Sequence, residues 1–131
     1  MIVDKYLYLN SRDELYRLDI NCLAYFEGDG NYTNFYLLNG KKGTVLMNLL
    51  QMQNLLSKSL QEDARIFARI GKSLIVNLNY VYRISIARQK VVLTDGKQPT
   101  SFELHASREA LINLKALYVT EIVKGSKKRP L

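Results

Sequence analysis

Short segments in which apolar and polar residues alternate cover most of the chain, and this pattern predicts strands. Segments 5–9 and 14–18 alternate around a polar turn at 10–13, which is typical of a hairpin. The pairs Asn39-Gly40 and Asp95-Gly96 favour tight turns between further strands. Those strands are predicted at 23–27, 32–38, 44–46, 67–70, 74–76, 81–87, 91–94 and 101–104.

Two segments have the apolar spacing of helices instead. The first helix is predicted over 48–59 with Asn48 as its N-cap, because apolar residues recur there every three or four positions. These residues are Leu49, Met52, Leu56 and Leu60. The second helix is predicted to begin after its N-cap, Ser107, and its apolar face consists of Leu111, Leu114 and Tyr118. Many short strands with two helices predict a β-rich α+β domain.

Length and charge indicate one domain with a basic second half. The chain has 131 residues, 47% of them hydrophobic, which suffices for the core of one domain, expected over residues 1–122. Residues 123–131 carry four basic side chains, and we expect a disordered tail that either binds phosphates or only aids solubility. Residues 1–65 hold 7 Lys+Arg and 8 Asp+Glu, whereas residues 66–131 hold 12 and 4. An anionic partner is therefore expected on the second half.

The rare residues exclude several classes of protein. A single cysteine, Cys22, cannot form an internal disulfide, and with one histidine, His105, it cannot complete the usual zinc site. We expect Cys22 to be a small buried packing residue, and we expect no metal and no cofactor. No apolar run is long enough to cross a membrane, and the first residues do not resemble a signal peptide. The expected location is the cytoplasm.

Two partial nucleotide-binding motifs fail on spacing. Gly71-Lys72-Ser73 resembles the end of a P-loop, but that motif needs a glycine where Ile66 stands. Gly28-Asp29-Gly30 begins like a dinucleotide-binding motif, but its third glycine would fall at Thr33. His105 has no acidic partner in a motif that would unite the two for catalysis. The sequence therefore predicts a protein that is not an enzyme.

The segment 67–81 carries the most specific signal. Its sequence, FARIGKSLIVNLNYV, resembles the signature of the LytTR family of DNA-binding domains. Further similarities follow in the order of that family: LAYFE at 23–27, GNYT at 30–33, TDGK at 94–97 and ASR at 106–108. The resemblance covers residues 4–120. It implies packed antiparallel β-sheets with two short helices, and specific binding of duplex DNA by a bacterial transcription regulator.

The resemblance also implies a binding mode and a set of residues. In that family, loops enter successive major grooves and commonly contact paired direct repeats in promoters. Double-stranded DNA is therefore the implied partner, and two adjacent repeats suggest a weak homodimer on DNA. Carried over by position, the implied DNA-binding residues are Asn31, Tyr32, Thr33 and Asn34, then Arg69, Lys72 and Ser73, then Ser107 and Arg108. We expect structural roles for Phe67, Val76 and Asn77, although they lie within the motif.

Two other hypotheses stay open on the sequence. The first is a protein–protein interaction module that has kept the fold and lost specific DNA binding. Gly71 stands where the family has histidine, Lys72 where it has arginine, and Glu109 where many members have a second basic residue. Nine tyrosines and four phenylalanines would also suit an exposed aromatic interface. The second is a binder of single-stranded nucleic acid, with tyrosines stacking on bases beside a basic groove.

Overall fold

The computed structural model describes residues 5–97 and 99–124, and its chain begins with the expected hairpin. Strands β1 (Tyr6–Asn10) and β2 (Leu15–Asp19) pair antiparallel, with Tyr6 opposite Asp19. A short 3-10 turn, Ile20–Cys22, follows and leads into the next strand. Leu7, Leu9 and Leu18 point from this hairpin into the core, whereas Tyr8 on the other face is exposed. The period-two alternation of the sequence is therefore confirmed here.

A five-stranded antiparallel sheet forms the centre of the molecule. Its strand order is β5-β4-β3-β7-β6. In chain order these strands are β3 (Leu23–Asp29), β4 (Tyr32–Leu37), β5 (Lys42–Val45), β6 (Phe67–Ile70) and β7 (Leu74–Asn77). Strand β3 is two residues longer than predicted, because Gly28 and Asp29 pair with Thr33 and Tyr32. The β3–β4 turn therefore narrows to Gly30 and Asn31, where Gly30 has a φ of 62° that suits glycine.

A smaller antiparallel sheet and a second helix complete the fold. Strands β8 (Val81–Ser85), β9 (Lys90–Leu93) and β10 (Phe102–His105) are arranged in the order β10-β9-β8. Helix α1 (Leu49–Leu60) lies between β5 and β6 in the chain, and α2 (Arg108–Tyr118) follows β10. A π-helical turn, Val119–Val123, continues α2. Residues 125–131 of the predicted basic tail lie outside the described residues, and the domain boundary at 122 stays a prediction.

Both predicted helices begin at their predicted caps. The Asn48 side chain accepts a hydrogen bond from the Gln51 amide at 2.8 Å, and the Gln51 side chain accepts one from the Asn48 amide. The Ser107 hydroxyl accepts a hydrogen bond from the Ala110 amide at 3.1 Å. Each cap satisfies donors that the helix itself leaves unpaired and contributes about 1 kcal/mol.

The central sheet separates two hydrophobic clusters. On one face, Phe26, Phe35 and Ile75 pack with α1 and with the β1–β2 hairpin. On the other face lies a cluster of residues from β3, β6, β7, β9 and α2, including Tyr25, Val76, Leu93 and Leu111. A strand between two such layers must be apolar on both sides, which explains why all four residues of β7 are buried.

Three motif residues have the structural places expected of them. Asn77 is fully buried; its side-chain nitrogen donates to the Leu23 carbonyl at 2.9 Å, and its oxygen accepts from the Asn79 amide at 3.0 Å. Val76 is fully buried in the cluster that includes Leu93 and Leu111, and Phe67 packs against the cluster that includes Phe26 and Ile75. The hydrogen bonds of Asn77 tie β7 to the start of β3, so this residue serves the fold.

The prediction that Cys22 is buried is wrong. Cys22 is exposed, because the 3-10 turn directs Ile20 into the core and leaves the third residue of the turn at the surface. Partial loss of hydration, and then the nearby Asp19 carboxylate, raise the pKa of the Cys22 thiol. A raised pKa makes the thiolate, which is the nucleophilic form, less available.

Candidate nucleic-acid interface

The tips of two hairpins lie side by side at one end of the central sheet. Strands β3 and β7 are antiparallel neighbours, and Glu27 lies opposite Leu74. The β3–β4 turn at 30–31 and the β6–β7 turn at 71–73 therefore project from the same end of the sheet. The Gly28 amide donates to the Ser73 carbonyl at 2.8 Å, which links the two hairpins directly beneath their tips.

The start of α2 lies against the β6–β7 turn. An open cavity of about 450 Å³ separates the two, and its polar lining consists of Arg69, Lys72, Ser73, His105, Ser107, Glu109 and Asn113. The turn and the helix also approach closely, since a Cβ added at Gly71 would lie 3.8 Å from the Ala110 Cβ. The fold thus brings the second predicted group and Ser107 of the third together around one cavity, whereas Arg108 does not line it.

Gly71 shapes the turn that carries Lys72 and Ser73. Its φ of 59° lies in the left-handed region, where a side chain costs about 1 kcal/mol. Lys72 and Ser73 are both exposed. Within the described residues, Lys72 and Arg108 take part in no ion pair, so both cations are available to an anionic ligand.

Arg69 differs from these two cations, because its guanidinium is already occupied. Its Nη1 donates to the Gln53 side-chain oxygen at 2.8 Å, and its Nη2 donates to the Lys72 carbonyl at 3.0 Å. Arg69 lies opposite Ile75 on the face of the sheet that α1 covers. It therefore joins α1 to the β6–β7 turn. Gln53 is not predictable as part of this site from the sequence, since nothing in an exposed helical glutamine indicates a partner sixteen positions later.

The first predicted group divides between the surface and the core. Asn31 and Tyr32 are exposed at the hairpin tip. Thr33 is 0% exposed, and its hydroxyl donates to the Met47 carbonyl at 2.7 Å, so its side chain packs inside the fold, and its contact with DNA stays a prediction. Period-two alternation already carried this signal, because Thr33 shares a face with buried Phe35. Asn34 is half-buried and accepts a hydrogen bond from the Thr44 hydroxyl at 2.5 Å.

The charge of this end of the molecule is mixed. Lys72 and Arg108 are exposed cations, whereas Glu109 in the first turn of α2 is an exposed carboxylate that lines the cavity together with Lys72. Among the described residues, no group of three or more histidine, cysteine or acidic side chains could hold a metal ion. In that same part of the chain, no helix is long and apolar enough to span a bilayer.

Comparisons with known proteins agree on one family. A family model described as "LytTr DNA-binding domain" matches residues 13–119. Among solved structures, the chain is similar to one titled "LytTr DNA-binding domain of putative methyl-accepting/DNA response regulator from Bacillus cereus". The identity is 20%, the match covers 86% of this chain and 94% of that chain, and the TM-score is 0.60. No curated protein matches. Since the family model spans more than half of the chain, the chain belongs to the LytTR family, which consists of non-catalytic DNA-binding domains of transcription regulators.

Proposed function

We propose that this domain binds duplex DNA sequence-specifically for a bacterial transcription regulator, with its loops entering the major groove. The observation that carries the proposal is the arrangement of the two hairpin tips and the start of α2 at one end of the sheet, where Lys72 and Arg108 are exposed and unpaired by other described residues. A major groove about 12 Å wide admits such projecting turns.

The proposed roles follow from the chemistry of each side chain. Lys72 and Arg108 supply charge to phosphates, and Arg108 also has the planar fork that suits guanine. Asn31, exposed at the first tip, has the amide that suits adenine, and Tyr32 is exposed beside it. The hydroxyls of Ser73 and Ser107 can donate to phosphate oxygens. Ser107 also lies at the start of α2, where the free amides of the helix favour an anion.

Paired direct repeats are the proposed target, with two domains forming a weak homodimer on adjacent sites. Cooperative binding to two repeats, with little association of the free protein, is the expected behaviour. A one-to-one complex whose stoichiometry does not change with protein concentration would contradict this part of the proposal.

Selection from a random duplex library, followed by a salt titration of the enriched sequence, tests the proposal. If roughly four to six phosphates are neutralised, the logarithm of the binding constant should fall with the logarithm of salt at a slope of about −4 to −5. Lys72→Gln and Arg108→Gln should each reduce this slope by about one unit. The matched control is Lys58→Gln, an exposed lysine in the last turn of α1.

Two outcomes would favour other functions. If no sequence is enriched and duplex DNA fails to bind even at low salt, the domain is a protein-binding module, which the carboxylate of Glu109 at the cavity favours. If single strands compete better than duplexes, the exposed tyrosines, such as Tyr32, become the proposed stacking surface.

A further inference from the structure

Helix α2 carries a second apolar stripe besides the one that faces the core. Leu111 and Leu114 form the buried face. Ile112, Ala116 and Val119 follow one another at spacings of four and three residues on a different side, and Ile112 and Val119 are 45% and 37% exposed. Apolar residues that alternate at three- and four-residue spacing form the seam along which one helix packs against another. A surface helix needs one apolar face for its own fold, so the second stripe calls for another explanation.

The stripe borders a groove formed with the small sheet. One cavity of about 400 Å³ lies between the stripe and Ile86, and a neighbouring cavity of about 240 Å³ lies between Val119 and strand β8. Lys115 and Val119 line both cavities, so the two are adjacent. We call this combined feature the α2 groove. Tyr82, which is 74% exposed, lies at its β8 side.

The charged residues along the α2 groove are of one sign. Lys115 and Lys124 line it, and none of the described lining residues is a carboxylate. Glu121 lies 3.9 Å from Arg65 and does not line the α2 groove. A second copy of this chain would bring more lysines and no carboxylates, so charge complementarity favours a different, acidic partner.

The α2 groove begins at Ile112, five residues after Ser107, and its Val119 end lies away from the end of α2 that meets the DNA in the proposed function. Ser107 caps the helix beside the β6–β7 turn, whereas Val119 is twelve residues further along, or roughly 18 Å at the rise of a helix. DNA on the loops would therefore leave the Val119 end of the α2 groove accessible to a protein.

We propose that the α2 groove binds an amphipathic helix of another protein, with apolar residues at alternating three- and four-residue spacing and glutamate or aspartate flanking them. The apolar residues pack on Ile112, Ala116 and Val119, and the carboxylates lie near Lys115 and Lys124. This surface does not depend on the proposed DNA binding, because none of its residues is among the proposed DNA-binding residues.

A pair of designed peptides tests the proposal on the full chain. The probe is a fluorescein-labelled helical peptide of about 18 residues with leucines at this spacing and flanking glutamates. Its counterpart has lysine at every glutamate position. We expect the glutamate peptide to bind at least about tenfold more tightly in fluorescence anisotropy at moderate salt. Lys115→Glu should reverse this preference, and Val119→Asp should weaken binding of the glutamate peptide by more than about tenfold.

The matched control is Leu50→Asp, which places the same charge on a 59% exposed apolar residue of α1 and should leave peptide binding unchanged. Thermal unfolding of each variant verifies the fold, and Lys115→Glu keeps the test decisive if Val119→Asp unfolds. Equal binding of the two peptides, or equal loss in the Leu50→Asp control, would overturn the proposal. So would self-association of the free chain that Val119→Asp abolishes, because the occupant would then be a second copy.

Discussion

The hydrogen bonds that link Gln53 through Arg69 to Lys72 should keep the β6–β7 turn in one conformation. Gln53→Ala is the cleanest perturbation of this link. This substitution removes no charge and leaves Arg69 in place, but it deletes the acceptor of the 2.8 Å hydrogen bond. Arg69 then keeps only its bond to the Lys72 carbonyl. We expect the guanidinium to move more freely and the turn to populate more conformations.

The magnitude follows from exposure. A hydrogen bond to a charged group contributes about 1.5–3 kcal/mol, but Gln53 and Arg69 are both exposed, so the expected loss of unfolding free energy is about 0.5–1 kcal/mol. If the fraction of molecules whose β6–β7 turn has the DNA-binding conformation falls to about one fifth, the Kd for DNA rises about fivefold. Arg69→Lys keeps the charge but loses the planar guanidinium that forms both hydrogen bonds. We therefore expect its affinity for DNA to fall about five- to tenfold.

The assay is DNA binding as a function of salt, combined with hydrogen exchange of the turn amides. Neither Gln53→Ala nor Arg69→Gln should change the salt slope, because a residue that positions the turn neutralises no phosphate. Gln53→Ala should also speed exchange of the amides at 71–73. The matched control is Asn54→Ala, its exposed neighbour on α1, which should change none of these quantities.

Two results would refute this reasoning. If Gln53→Ala binds DNA like the unmodified chain while Arg69→Gln reduces the salt slope by about one unit, Arg69 contacts phosphate directly. If the amides at 71–73 exchange equally fast with and without Gln53, this link does not order the turn. The exchange measurement needs no DNA, so it stands even if the domain binds no duplex.

Three further predictions concern charge, burial and pH. Glu109→Gln should tighten DNA binding about two- to threefold at low salt, since the carboxylate that repels phosphate is removed. The same substitution should lower the Tm slightly, because the start of α2 loses a charge that is favourable at a helix N-terminus. Asn77→Ala should cost about 2–4 kcal/mol in urea unfolding, because it leaves the Leu23 carbonyl and the Asn79 amide without their partner; unchanged stability would contradict its role. Burial, then Tyr36 and Glu27, raise the pKa of Tyr25 above its ordinary value of 10.0, so the neutral form is favoured in the fold. The stability that this shift contributes is fully present below about pH 10 and is lost as pH rises towards the folded pKa, and Tyr25→Phe should flatten that alkaline loss in denaturation measured from pH 8 upward.

Local features of the sequence were enough for the elements and for the family. The caps at Asn48 and Ser107 were predicted correctly, because a cap is a hydrogen bond within three residues and depends on nothing distant. The first hairpin followed from period-two alternation around one turn. Membership in the LytTR family followed from the segment 67–81 together with similarities in order at 23–33, 94–97 and 106–108, and the family model confirms it.

Side-chain placement was decided by tertiary packing instead. Thr33 and Asn34 look equally polar in the sequence, but α1 and its preceding loop cover the face that holds Thr33 and leave Asn34 only half-buried. Arg69 looked like a free cation until α1 brought Gln53 to it across sixteen positions. Cys22 looked buried among apolar neighbours until one 3-10 turn directed it outward. Sequence alone determined the periodicity and capping that form the elements, whereas burial and hydrogen-bond partners depend on which elements cover each face, and only the tertiary structure decides that.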